Sequence, residues 1–252
     1  MPNRSGVDTR SGRVRCRGVE GVRLSESTWP DVDGRSPLVV VPLGSVEQHG
    51  RHLPLATDTV VAQAVAEDVV PSLDGAVLAP ALAYGASGEH EDFPGTISIG
   101  TAALTALLVE YGRSVGRWSG RLLVVNGHGG NLEALRSAVP LLRGEGRDVA
   151  WFPCGVAGGD AHAGRTETSL VLHVEPAAVR EALAAAGDTT PIGDLRPRLR
   201  AQGVRAVSPD GVLGDPAGAS AAEGARLLAD LSARLGAAAA RWQVDDTGRL
   251  LG

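Results

Sequence analysis

Lysine is absent from all 252 residues: the 24 basic side chains are arginines, set against 29 aspartates and glutamates. The net charge of −5 is thinly spread with no basic stripe, which excludes a nucleic-acid face and a polybasic membrane patch. Cysteine is nearly absent too. Cys16 and Cys154 make neither a disulfide framework nor a thiolate zinc knuckle, and they suit a reducing cytoplasm, the expected location. No apolar run approaches the roughly 20 residues of a membrane span. Met1 to Arg23 carry six arginines but no apolar h-region, so residues 1–23 read as a disordered extension or a misplaced start, not a secretory signal. A Gly-x-Ser-x-Gly elbow and a His-Glu-x-x-His helix are both missing. Gly127-His128-Gly129-Gly130 does not fit the dinucleotide-binding Gly-x-Gly-x-x-Gly.

What is present is a chain with 43% hydrophobic residues, enough to bury a full core. Strand and helix patterns alternate. Strands are expected at Pro37 to Gly44, Ala76 to Pro80, Arg121 to Asn126 and Asp148 to Pro153. Helices are expected at Asp58 to Val70, Thr101 to Trp118, Leu132 to Glu145, Pro176 to Ala186 and Ala219 to Trp242. Gly155 to Thr168 reads as loop, followed by an apolar run at Ser169 to Val174, and Thr189 to Gly218 reads as Pro- and Gly-rich with little periodicity. This order implies a three-layer α/β/α sandwich with a mainly parallel sheet. No linker or repeat interrupts it, so residues 24–252 are expected to form one domain.

Two apolar strands run into polar motifs: Gly44-Ser45-Val46-Glu47-Gln48-His49-Gly50 and Asn126-Gly127-His128-Gly129-Gly130-Asn131. In open α/β sheets, ligands bind at the carboxyl ends of strands. If the chain stays extended past the first strand, Glu47 and His49 face the crevice together and Gln48 faces away. A carboxylate beside an imidazole suits zinc, iron(II) or manganese; a polar surface loop explains the same residues without a metal. Asp58, at the mouth of the next helix, fits an N-cap as well as a metal bridge. Asn131 fits a helix cap, and the whole loop from Gly127 also fits an anion-binding helix start. His162 lies in a Gly-rich loop with nothing apolar around it, and Glu167 falls where a first helical turn favours acid without any function. Gly88 to Thr96 holds Glu89, His90 and Phe93, charges that are ordinarily solvated but would also suit contact with substrate. His52 and His173 read as structural or surface histidines.

Taken together, these segments resemble the creatininase family of metal-dependent amidohydrolases. The likeness runs from about Leu24 to about Leu235. It is carried by Gly44 to Pro54 with Asp58, by Phe93-Pro94-Gly95-Thr96-Ile97-Ser98, by Asn126 to Asn131, and by His162-Ala163-Gly164 through Glu167-Thr168-Ser169. It implies an α/β/α sandwich, two divalent metal ions, and a closed homo-oligomer (hexamer or octamer). It makes Glu47, His49, Asp58 and His128 metal ligands, with Asp58 bridging. Creatinine-hydrolysing members carry a metal-binding glutamate two residues after the counterpart of His128; Gly130 stands there in this chain. That departure argues against creatinine as substrate and leaves Glu167 as the fifth ligand. Arg51, where proline is common, touches no proposed ligand.

Gly158 to Thr168 and Val204 to Pro216 carry a closer likeness to a peptidase branch of the family. The ions implied there are Fe2+ and/or Zn2+, with Mn2+ a third candidate. The implied reaction releases a cross-linked, decarboxylated C-terminal Val-Tyr unit from a modified precursor peptide. His162 and Glu167 are the expected catalytic groups, for proton transfer in metal-assisted amide hydrolysis. Two other readings stand beside this one. A cyclic amidase or formamide deformylase of the same family would differ only in substrate-loop residues such as Glu89, His90 and Phe93. A non-catalytic nucleotide-binding α/β protein would bind phosphate on Gly127 to Asn131 and carry no metal.

Overall fold

A computed structural model describes residues 22–251. The expected extension at residues 1–23 lies outside these, apart from its last two residues.

Five parallel strands make one sheet: β1 (Val22–Arg23), β2 (Leu38–Leu43), β3 (Ala76–Leu78), β4 (Arg121–Asn126) and β5 (Val149–Pro153), in the order β1-β3-β2-β4-β5. The helices are α1 (Trp29–Val32), α2 (Thr57–Val69), α3 (Gly100–Val115), α4 (Leu132–Gly144), α5 (Arg165–Val174), α6 (Ile192–Gln202) and α7 (Ala221–Arg241). The expected parallel α/β/α sandwich is what forms.

β2 and β4 read as unbroken apolar runs because both faces of the sheet are covered. Their side chains alternate between two cores. Val40, Leu123 and Val125 point to the layer of α2, α5 and α7, meeting Val65, Leu170, Leu231 and Leu235. Val39, Val41, Leu122 and Val124 point to α3 and α4, meeting Leu104, Leu108, Leu135 and Leu142. Each such fully buried Leu or Val contributes about 1.5–3 kcal/mol relative to exposure. α7 starts on a capped turn, with Ser220 Oγ accepting the Glu223 N–H, and ends at Trp242 in the left-handed region (φ 50°).

The strand order fixes where a ligand can sit. From β2 the chain crosses to β3 on one side, then returns through α3 to β4 on the other. The carboxyl ends of β2 and β4 therefore flank the point where the topology reverses, the usual crevice of such sheets.

Three readings need correction. α5 begins at Arg165, so the expected loop ran four residues too far, because Arg165 to Thr168 are polar and hide the helical period. The helix expected at Pro176 to Ala186 is two separate 3-10 turns, Pro176–Ala178 and Glu181–Leu183, among mostly exposed residues with no apolar face to bury. The stretch from Thr189 to Gly218 contains α6, whose period is masked by Pro197 inside the helix and by Leu195 being its one buried residue.

Candidate metal centre

After β2 the chain is held extended on both sides. Ile97 N–H donates to the Val46 carbonyl (2.9 Å), and Glu47 N–H donates to the Leu55 carbonyl (3.0 Å). Glu47 and His49 thus turn to one side, as alternation demands, and both are fully buried. Gln48 does not face open space. It is buried, and its amide reaches the outer nitrogens of His90 and His162.

Asp58 is the second residue of α2; the N-cap is Ala56, so capping does not account for this carboxylate. Its two oxygens meet two histidines. Oδ1 lies 3.3 Å from His49 Nε2 and Oδ2 lies 3.3 Å from His128 Nδ1. Glu47 Oε2 is 3.1 Å from His128 Nε2, and Glu47 Oε1 is 3.2 Å from His90 Nε2 and 3.7 Å from His162 Nδ1. Glu167, in the first turn of α5, brings Oε2 within 3.8 Å of His49 Nε2 while accepting the Ala163 N–H (2.6 Å). All six residues expected at the site, Glu47, His49, Asp58, His128, His162 and Glu167, come together.

Glycine makes this closeness possible at two positions. A Cβ on Gly127 would lie 2.3 Å from the Asp58 carbonyl oxygen, so only glycine lets the end of β4 pass the start of α2. A Cβ on Gly130 would lie 2.4 Å from His128 Nε2. Asn131 is no side-chain cap. It accepts the Ala86 N–H (2.9 Å) and donates to the Gly44 carbonyl (3.0 Å) and to Asn126 Oδ1 (3.1 Å), tying the motif loops together. His52 is buried against Thr168 Oγ1 (2.9 Å) and His173 is exposed, as expected of structural and surface residues.

Sequence reasoning placed His90 only as a candidate substrate contact, yet it is buried beside Glu47. It sits in a 3-10 turn 43 residues from Glu47, so local sequence carries no sign of the contact. Glu89 lies 3.6 Å from His128 and lines the same cavity. That cavity, about 890 Å³, is lined by His90, His128, His162 and Glu167 and by the exposed Arg136 and Arg196.

The electrostatics describe a cluster short of positive charge. Burial pushes Glu47 up, but His128, His90 and His49 outweigh it and hold the carboxyl well below the usual range. Burial likewise lowers His49, and Asp58, Glu167 and Glu47 overcome this to raise it to about 9. His128 is driven well above its ordinary value by Glu47 and Asp58 against the same desolvation. Protons on these imidazoles balance the carboxylates. Even so, Glu47 Oε1 and Asp58 Oδ2 are buried without a hydrogen bond, a costly state for an ionised oxygen. Divalent cations would satisfy both oxygens, and the groups Glu47–Asp58–His128 and His49–His162–Glu167 each place three donor atoms within 4.8 Å of one another. The donor set, imidazole and carboxylate, fits borderline and hard divalent ions.

A three-layer sandwich carrying mixed carboxylate and imidazole donors at its switch point is the build of a metal-dependent amidohydrolase. The chain belongs to the creatininase family: the family model described as creatinine amidohydrolase matches residues 25–239. It is 55% identical over 232 residues to the mycofactocin precursor peptide peptidase of Mycolicibacterium smegmatis, covering 90% of this chain and 94% of that one. It also resembles a mutant creatininase of Zn-Zn type (TM-score 0.74, 26% identity, 88% of this chain and 98% of that one). A manganese creatininase gives a TM-score of 0.67 at 25% identity over the same shares.

Proposed function

We propose that this amidohydrolase is a peptidase that releases the modified, Val-Tyr-derived C-terminal unit from the mycofactocin precursor peptide. The observation that carries this reading is the convergence of Glu47, His49, Asp58 and His128, with Asp58 and His128 on the wall of a cavity of about 890 Å³. Such a cavity is roomy enough for the end of a peptide. The named relative supplies the substrate.

In this reading Glu47, Asp58 and His128 would hold one cation, and His49, Asp58 and Glu167 would hold the other. Bound divalent cations supply Lewis acidity, lowering the pKa of water to around 7 and polarising the scissile carbonyl. The chain does the rest. His162 offers Nδ1 toward the cluster, in reach of the proton that must leave water and arrive on the departing amine. Glu167, raised to about 7 by burial in the metal-free cluster, would share that proton only where it does not itself hold metal. The balance is simple: the carbonyl carbon gains the oxygen of water, the C–N bond breaks, and the amine leaves with a proton.

The ions are Fe2+ and/or Zn2+, with Mn2+ the third candidate. The same proposal covers assembly into a hexamer or octamer and a cytoplasmic location. Among the described residues no helix is long and apolar enough to cross a membrane.

The test is metal content measured alongside cleavage of the cross-linked precursor peptide, with creatinine and a formamidopyrimidine as parallel substrates. We expect bound divalent metal and cleavage of the peptide alone. Full turnover by a metal-free Glu47→Gln variant would defeat the scheme.

A further inference from the structure

Distance alone puts His90 in a metal-capable group with Glu47 and His162. The hydrogen bonds around Gln48 assign it otherwise.

The Gln48 amide is pinned by two backbone groups whose roles cannot change. Its Oε1 accepts the Gly50 N–H (2.9 Å), and its Nε2 donates to the Gly211 carbonyl (3.1 Å). Turning the amide over would set donor against donor and acceptor against acceptor, so oxygen and nitrogen are fixed. One amide hydrogen remains. Two imidazole nitrogens lie within its reach, His90 Nδ1 at 2.9 Å and His162 Nε2 at 3.0 Å.

His162 Nε2 also sits 2.7 Å from the backbone carbonyl of Gln48. A carbonyl only accepts, so this nitrogen carries hydrogen and cannot accept from the amide. The remaining amide hydrogen goes to His90 Nδ1. That nitrogen holds a lone pair, and the proton of the neutral His90 ring is on Nε2. Each ring has its other nitrogen on the side of Glu47 Oε1, His90 Nε2 at 3.2 Å and His162 Nδ1 at 3.7 Å, neither in hydrogen-bonding geometry with it. One presents N–H to the cluster and the other presents a lone pair.

We infer that Gln48 is a positioning residue that fixes the two rings in opposite roles: His90 a hydrogen-bond donor on the cavity wall that does not ligate a cation, His162 the ring with an acceptor nitrogen facing the cluster. This deepens the hydrolase reading and rests on it for its use in catalysis, because His90 lines the cavity where the scissile carbonyl would lie. The contact with Gln48 keeps His90 neutral, because a second proton on Nδ1 would face the Gln48 N–H.

The experiment uses the intact wild-type chain with 15N-labelled histidine. Long-range proton–nitrogen spectra, recorded metal-free and after zinc is added, assign the ring tautomers. His90 should carry hydrogen on Nε2 in both states, with both of its nitrogens unmoved by zinc. A His90 Nε2 lacking hydrogen, or shifting to a metal-bound value, overturns the inference.

Two variants extend it. His90→Asn should keep the full metal content of the wild type and lose kcat by roughly 10²-fold, the scale of one missing transition-state donor, at little change in KM. Loss of one metal equivalent would make His90 a ligand and overturn the role. Gln48→Glu, which has no hydrogen to give, should move the His90 proton to Nδ1; an unchanged tautomer would show that Gln48 does not set it. The tautomer is read without metal or turnover. A protein that binds no zinc and cuts no peptide would therefore sink the hydrolase reading while leaving the His90 assignment to its own spectrum.

Discussion

Asp58 stands between His49 and His128, one carboxylate oxygen 3.3 Å from each ring. Those histidines come from different strand ends, so a single side chain couples the β2 motif to the β4 motif across the switch point of the sheet. That coupling makes Asp58 the residue whose loss should be felt at both halves of the site.

Asp58→Asn keeps the shape and removes the charge. Metal content by elemental analysis should fall by more than one equivalent per chain, and peptide cleavage should fall with it. Glu167→Gln, at the edge of the cluster, should cost one equivalent at most. An Asp58→Asn protein that retains two ions would show that the carboxylate does not bridge.

In the metal-free protein, His49 titrates near 9 when folded against an ordinary value of 6.5, and His128 is raised as well. The folded state therefore binds more protons than the unfolded one between these values. The stability these rings contribute is fully present below pH 6.5 and is lost as pH rises through about 9. In the acid window His90, lowered to about 4, and Glu167, raised to about 7, act in opposite directions. The alkaline limb is the clear one. Urea midpoints of the apo protein should drop from pH 6.5 to pH 9, and a midpoint that climbs over that range would mean the rings are neutral.

Zinc should reverse that slope, because imidazole must lose its proton to bind metal. Added at about 100 times its dissociation constant, zinc should stabilise the fold by roughly 2.7 kcal/mol, seen as a higher Tm. Glu47→Gln should abolish most of this shift. An unchanged Tm in the wild type would mean that the cluster binds no zinc.

Gly130 carries its own forecast. A methyl group there would lie 2.3 Å from the Ala86 carbonyl oxygen and 2.4 Å from His128 Nε2. Gly130→Ala must displace the ring or the backbone, at a cost on the order of 1–3 kcal/mol. Metal affinity and activity should both fall; a variant with wild-type affinity would show that the loop yields without moving His128.

Trp151 tests the opposite layer. It is fully buried between the sheet and α4, and its Nε1–H donates to the Thr247 carbonyl (2.9 Å). Trp151→Ala should destabilise by about 3–5 kcal/mol while leaving the metal ligands in place, read as a lower urea midpoint with unchanged metal content.

Much of this was legible in the chain. β4 was placed to the residue, and β2, α2, α4 and α7 to within one or two, because their apolar patterns are long and regular. α6 escaped because it is mostly exposed and its composition is that of a loop. His90 and Gln48 escaped for a different reason: a polar residue in a loop has the same local sequence whether water or another histidine surrounds it.

By itself, then, the sequence determined the layers, the parallel sheet and the set of donors, since side-chain periodicity and residue type are written along the chain. Which donors meet, which oxygen of Asp58 faces which ring, and which nitrogen of His90 keeps its proton were decided only by the folded sheet. These relations join residues dozens of positions apart, at distances set by strand order and by glycines whose missing side chains let the loops close on one another.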